Sequence, residues 1–151
     1  MLIASELDVR QALLAGSGDL AALARRLAER AARVIARRPP IPRVKALLSM
    51  DGGVCPDDGV ALEFDPWSPR EHRCGGCGKS FTGERHERSW ARFQHLWLAE
   101  QAATLAALAS LAGHEGAAKA AAGILSDYAG AYFDFPNRDN VLGPSRLFFS
   151  T

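Results

Sequence analysis

Residues 86–132 constrain the fold more than any other part of the chain. In ERSWARFQHLWLAEQAATLAALASLAG, Trp90, Phe93, Trp97, Leu98, Leu105, Leu108 and Leu111 recur at three- and four-residue spacing, the period of a helix with one broad apolar face. Gly113 stands where such a helix stops, and a short GHEG turn follows. AAKAAAGILSDYAGAYFDF then returns as a second helix, with Ala121, Ile124, Leu125, Tyr128 and Tyr132 as its inner stripe. Long helices joined by a short loop lie antiparallel. Alanine on the facing sides lets them approach closely, which suits a layered helical ring or solenoid better than a strictly globular bundle. The apolar share of 48% leans on Ala and Leu rather than Val and Ile, so the expected class is mainly α.

Three segments separate by composition: 1–45, 51–84 and 86–151. The first is helical. A short helix over 5–15 is broken by GSGD, where Ser17 or Asp19 can cap the next helix. That helix runs to about Arg37, with Leu20, Leu23, Leu27, Ala31, Val34 and Ile35 on one face and Arg25, Arg26, Arg30, Arg33 and Arg37 on the other. The arginine run suits either a solvated face or an acidic polymer. RRPPIP ends the helix, since paired prolines cannot continue it. Residues 1–50 carry nine Lys/Arg against four Asp/Glu, a balance of +5, while 51–151 carry nine against thirteen, a balance of −4. The net of +1 gives no global field toward nucleic acid or a membrane. No stretch approaches the roughly 20 apolar residues of a membrane span. The N-terminus has acidic residues where a signal peptide carries a basic region, so the expected location is cytoplasmic.

Segment 51–84 has no helical period. VALEFDP alternates as a strand does, and DDG, DPWSP, CGGCG and TGE are turn signals, which together predict two small hairpins. The chemistry sits here. Cys74 and Cys77 are spaced C-x-x-C among Gly75, Gly76 and Gly78, so that both thiolates can reach one tetrahedral ion. Cys55 opens a similar turn, C-P-x-x-G, in which Asp58 occupies the position of a fourth cysteine. Zinc accepts carboxylate oxygen. The expected metal ligands are therefore Cys55, Asp58, Cys74 and Cys77 around a structural zinc, with His72 the competitor for the fourth place. A ribbon with free thiols is the plain alternative. An odd cysteine count argues against a disulfide framework, and no strand–helix thioredoxin pattern surrounds the pair.

Elsewhere the residues admit two readings each. His95 suits a core position or a sugar-stacking cleft beside Trp90 and Trp97, and Tyr128 and Tyr132 suit core or proton transfer. The loop FPNRDNVLGPSR places Asn137, Asp139 and Asn140 before a helix start expected at Gly143-Pro144. Such a loop suits anion binding as well as turn formation. Arg146, in the first turn, can contact a carboxylate with both arms of its guanidinium.

CPDDG…LEFDP…HRCGGCG, SWARFQHLWLA and ILSDYAGAYFDFPNRDNVLGPSRLFFST together resemble the N-terminal part of heparinase II/III-like polysaccharide lyases, including the oligo-alginate lyase group. The resemblance covers roughly residues 50–151 and is most specific in DNVLGPSRLFFST. It implies a partial (α/α) toroid with a small zinc-ribbon-like insertion, followed in full-length members by a β-sandwich. The implied reaction is β-elimination at a uronic acid, and the implied partner is an acidic oligosaccharide or polysaccharide. The family's catalytic Tyr and His fall beyond position 151, so no residue here is expected to be catalytic and the ending reads as a cut. Arg146, Asn140 and Asn137 are the positions carried over, as substrate-binding residues. A chain of this kind is expected to be inactive alone, and either to self-associate through an exposed apolar face or to be marginally stable. The alternative is a zinc-stabilised helical binding or interaction module. Basic and aromatic residues do not interleave in the ribbon, which counts against nucleic acid.

Overall fold

Helix-forming composition accounts for most of the structure. The computed structural model describes residues 4–14, 16, 18–47, 52–135, 138, 139, 143 and 144. Among these, four helices dominate: α1 (Ala4–Leu14), α2 (Gly18–Ala36), α3 (Glu84–Ala112) and α4 (Glu115–Ala131). A 3-10 turn follows α4 at Tyr132–Asp134, and two pairs of two-residue strands complete the list, β1 (His72–Arg73) with β2 (Ser80–Phe81), and β3 (Arg138–Asp139) with β4 (Gly143–Pro144). The fold is mainly α. None of the described helices is long and apolar enough to cross a membrane.

The chain divides into two units, residues 1–38 with 98–129, and residues 39–97 with 130–151. Helix α3 contributes to both. In the first unit α1 packs on α2. Ala21, Ala31 and Val34 of α2, Leu98, Leu105 and Leu108 of α3, and Ala117, Ala121 and Ile124 of α4 are buried. Each fully buried leucine contributes about 1.5–3 kcal/mol relative to exposure. Gly113 closes α3 at φ 67°, a left-handed conformation that suits glycine, and its N–H reaches the Ala109 carbonyl at 3.1 Å. The turn then caps α4, because His114 Nδ1 accepts the Ala117 N–H at 3.1 Å. Arg38 reaches α4 from beyond the end of α2. It donates to the Gly123 carbonyl at 2.7 Å and pairs with Asp127 at 2.5 Å.

The stripes differ from the expected ones in detail. Leu20 and Leu23 are exposed, and Ala21 takes the inner position on α2. On α4 the buried row is 117, 121, 124 and 131, so Leu125 and the following Tyr132 lie outside it at 61% and 53% exposure. Small residues face inward wherever helices crowd, and a reading weighted toward large apolar side chains picks the neighbouring stripe. The backbone at Gly143–Pro144, expected as the start of a helix, pairs antiparallel with Arg138–Asp139, and the rest of that expected helix lies outside the described residues. Proline supplies no N–H there, as an edge pairing permits.

In the second unit the front of α3 is held by polar bonds to irregular segments. The buried Gln94 amide donates to the Pro40 carbonyl at 2.9 Å and the Pro66 carbonyl at 3.1 Å. Trp90 Nε1 donates to the Asp65 carbonyl at 2.8 Å, and the Leu47 N–H to the Arg88 carbonyl at 2.9 Å. These anchors are what allow a segment with almost no regular structure to be held in place. Aromatic rings extend the packing: Trp97 meets Trp67 and Phe64 edge-on, with centroids 5.5 and 6.4 Å apart.

Candidate metal centre

The Cys-rich segment consists of the same turn made twice. In the first, the Cys55 N–H bonds to the Val60 carbonyl at 2.8 Å and the Gly59 N–H returns to the Cys55 carbonyl at 2.9 Å. In the second, the Cys74 N–H bonds to the Lys79 carbonyl at 2.8 Å and the Gly78 N–H returns to the Cys74 carbonyl at 3.0 Å. Both turns end on a left-handed glycine, Gly59 at φ 69° and Gly78 at φ 73°. Superposed by these bonds, Cys55 corresponds to Cys74, and Asp58 to Cys77. The carboxylate therefore stands where a second C-x-x-C would place its thiol.

The two turns face each other. The four ligand atoms of Cys55, Asp58, Cys74 and Cys77 all lie within 4.8 Å of one another, close enough to hold one metal ion. The Cys55 and Cys77 sulfurs are 3.7 Å apart, and Cys74 Sγ lies 3.5 and 3.4 Å from the Asp58 oxygens. Cys55 and Cys74 are buried while Cys77 is exposed. The Gly76 and Cys77 N–H groups point at Cys74 Sγ from 3.3 and 3.5 Å, a partial positive charge suited to a thiolate. Gly76 has a second role. A Cβ built there would stand 2.7 Å from Asp58 Oδ2 and 3.1 Å from Val60, so only glycine leaves the carboxylate its place.

Electrostatics follow the same arrangement. Burial pushes the Cys55 thiol up to about 11, with backbone bonds to Asp57 and Asp58 acting the other way. Asp58 is held below the usual carboxylate range, first by the Val60 N–H at 2.9 Å and then by the Cys55 thiol. A cation entering this cluster meets an ionised carboxylate but must displace a proton from Cys55, so affinity rises with pH. Lys79 pairs with Asp57 at 2.6 Å beside the site, and that bond raises its pKa.

His72 does not join the cluster. It is buried on β1, where its ring lies 6.4 Å from His86, and it lines a cavity with Gly52, Phe64, His86, Ser89 and Trp90. Its Nε2 has no hydrogen-bond partner among the described residues, and burial, followed by the charge of His86, lowers its pKa. Asn137, Asn140 and Arg146, expected to bind substrate, lie outside the described residues. Sequence reasoning missed the specific demand on Gly76 and the Lys79–Asp57 pair. The first had a signal in the C-G-G-C spacing; the second had none. His95 and Tyr128 are half-buried, and burial moves them in opposite directions, His95 down and Tyr128 up to about 12.

Compared with protein-family models, curated proteins and solved structures, the chain matches none of them.

Proposed function

We propose that Cys55, Asp58, Cys74 and Cys77 form a structural zinc centre, and that the chain is the N-terminal helical part of a lyase acting on uronate polysaccharides. The metal reading is carried by two distances. A tetrahedral zinc with bonds of about 2.3 Å to sulfur and 2.0 Å to oxygen has S–S edges of about 3.8 Å and S–O edges of about 3.5 Å. The cluster has 3.7 Å between the Cys55 and Cys77 sulfurs, and 3.5 and 3.4 Å between the Cys74 sulfur and the Asp58 oxygens, with all four ligand atoms within 4.8 Å of one another. Four protein ligands close the coordination sphere, so the ion would cross-link the two turns and leave no position for substrate. Purified protein should contain about one zinc per chain. Metal-free protein obtained without chelators would overturn the reading.

The lyase reading is supported by sequence likeness in CPDDG, HRCGGCG and DNVLGPSR. It carries with it the partial (α/α) toroid and the zinc-ribbon character of segment 51–84. The chemistry asked of such an enzyme is demanding. The C5 proton of a uronate becomes removable only when its carboxylate is neutralised by hydrogen bonds or positive charge, and a base and an acid must then act on the proton and the leaving oxygen. Arg146, with Asn137 and Asn140, is the group assigned to the carboxylate. Oligo-uronate binding weakened by Arg146→Ala would support this assignment; binding indifferent to that change would remove it. A zinc-stabilised interaction module is the second reading, favoured by a metal centre that is complete without any reacting group.

A further inference from the structure

Helix α2 carries its cations unevenly, and the unevenness has a direction. Arg26, Arg30, Arg33 and Arg37 fall within about 60° of one another around the helix axis, rising about 6, 4.5 and 6 Å from one to the next. The Arg37 N–H still bonds to the Arg33 carbonyl at 2.9 Å, so the helical geometry reaches the last of them. All four are exposed, while Ala21 and Ala31 are buried on the far side and Val34 is buried on the flank beside Arg30. The other arginines nearby are engaged: Arg25 with the Gly16 carbonyl at 3.2 Å, and Arg38 with Asp127. Arg33 is engaged as well. The guanidinium groups of Arg26, Arg30 and Arg37 have no ion-pair or hydrogen-bond partner among the described residues.

Local causes do not account for the row. The helix macrodipole favours cations in the last turn only, which leaves Arg26 and Arg30, in the middle of α2, unexplained. The acidic groups near it are Glu29, about 60° to one side, and Asp19, two turns toward the N-terminus on the same line. Every cation of α2 is arginine and none is lysine. A guanidinium offers a planar fork matched to carboxylate, which lysine cannot do. A single line of forks at near-regular rise fits a linear polyanion with one carboxylate per unit.

We propose that the α2 arginine row, with Arg26, Arg30 and Arg37 as its available members, is a binding surface for a linear polyuronate. The proposal rests on the lyase reading for the uronate and on the row itself for the surface. It adds a second contact, apart from Arg146, along which a long acidic chain lies. Single-stranded nucleic acid is disfavoured because α2 carries no aromatic side chain on which bases could stack.

The test uses the whole 151-residue protein. Binding is measured by titration calorimetry at several salt concentrations with alginate oligosaccharides, dextran sulfate, neutral dextran and duplex DNA. The triple variant R26Q/R30Q/R37Q is compared with R43Q/R70Q/K119Q, which removes the same charge from exposed positions elsewhere, and circular dichroism checks that both keep their helix content. The expected result is alginate binding that the row variant weakens by about tenfold or more, with a shallower salt dependence, and that the control barely changes. Equal loss in both variants, or alginate binding unaffected by the row, overturns the proposal. DNA bound more tightly than alginate overturns it too and reassigns the partner. Dextran sulfate bound through the row with no alginate binding keeps the surface but ends its uronate assignment and the lyase reading together. Alginate binding lost in Arg146→Ala but intact in the row variant keeps the lyase reading and ends this one.

Discussion

Asp58 sets the character of the proposed metal centre. It occupies the turn position that Cys77 fills in the other half, and its carboxylate is already ionised and pointed at Cys74. Asp58→Ala should lower zinc affinity by about tenfold to a hundredfold, whereas His72→Ala should leave it nearly unchanged, because His72 lies outside the cluster. Asp58→Cys should tighten zinc binding by completing a four-thiolate set. A competition titration against a chromophoric chelator reads all three; a larger effect from His72→Ala would give the fourth place to the histidine. Glycine provides an independent check. Gly76→Ala would drive a methyl to 2.7 Å from Asp58 Oδ2, while Gly75→Ala meets only the end of the Glu63 side chain at 3.2 Å. Zinc affinity should fall in the first variant and hold in the second, as the same titration would report. The site was legible in advance because each half is a short local turn whose geometry is written in adjacent residues. The choice between Asp58 and His72 was not, since it depends on how β1 turns its side chains.

Among the elements, the αα-hairpin shows which parts of a helical pattern can be read. Period and termination were plain: Gly113 ends α3 and the return helix begins at Glu115. Which face turns inward was legible in part: Ala121 and Ile124 are buried as expected, while Leu125 is exposed and Ala117 takes an inner place that was not expected. Hydrophobic size does not identify the inner row when alanines permit close approach. At the carboxyl side only the first two positions of the expected helix are described, and they pair as a strand, because Gly143-Pro144 has the composition of a helix start and of an edge pairing alike. Gly123 offers a test of the local energetics. It sits inside α4, where glycine costs about 0.5–1 kcal/mol relative to alanine. A Cβ there would meet the Arg38 guanidinium at 3.6 to 3.7 Å, an ordinary contact. Gly123→Ala should therefore stabilise the protein by about 0.5–1 kcal/mol in urea melts. A loss of stability would mean that Arg38, drawn to the Gly123 carbonyl and Asp127, needs the open space.

For the molecule as a whole, two properties follow from where ionisable groups and the metal sit. His95 is depressed by burial and His72 by burial and the neighbouring His86, so both are neutral in the fold. Groups with lowered folded pKa give stability that is present above the unfolded value, about 6.5, and is lost as pH falls through the folded value. Stability should therefore decline from about pH 6.5 downward. His95→Phe, which keeps a ring against Phe135 at the present 5.9 Å pairing, should flatten that decline. The slope is the readout, and an unchanged slope would take His95 out of the account.

The last expectation concerns cooperativity. All four ligands belong to one unit, and the segment they join contains only isolated bridges and the two-residue pair β1–β2 besides its turns. So little ladder cannot stabilise itself; its order rests on the bonds from Trp90 and Gln94 and, with zinc bound as proposed, on the metal. The helices of the other unit rest instead on Leu98, Leu105, Ala121 and Ile124, which owe nothing to the ion. Chelation should therefore strip hydrogen-exchange protection from residues 52–82 first, with the Cys55, Leu62 and Cys74 amides losing the most. The interior amides of α2 and α4 should stay protected at the same chelator concentration. Exchange of all helices together with the ribbon would show a single cooperative fold in which the metal stabilises every element, and would replace the picture of a local clasp.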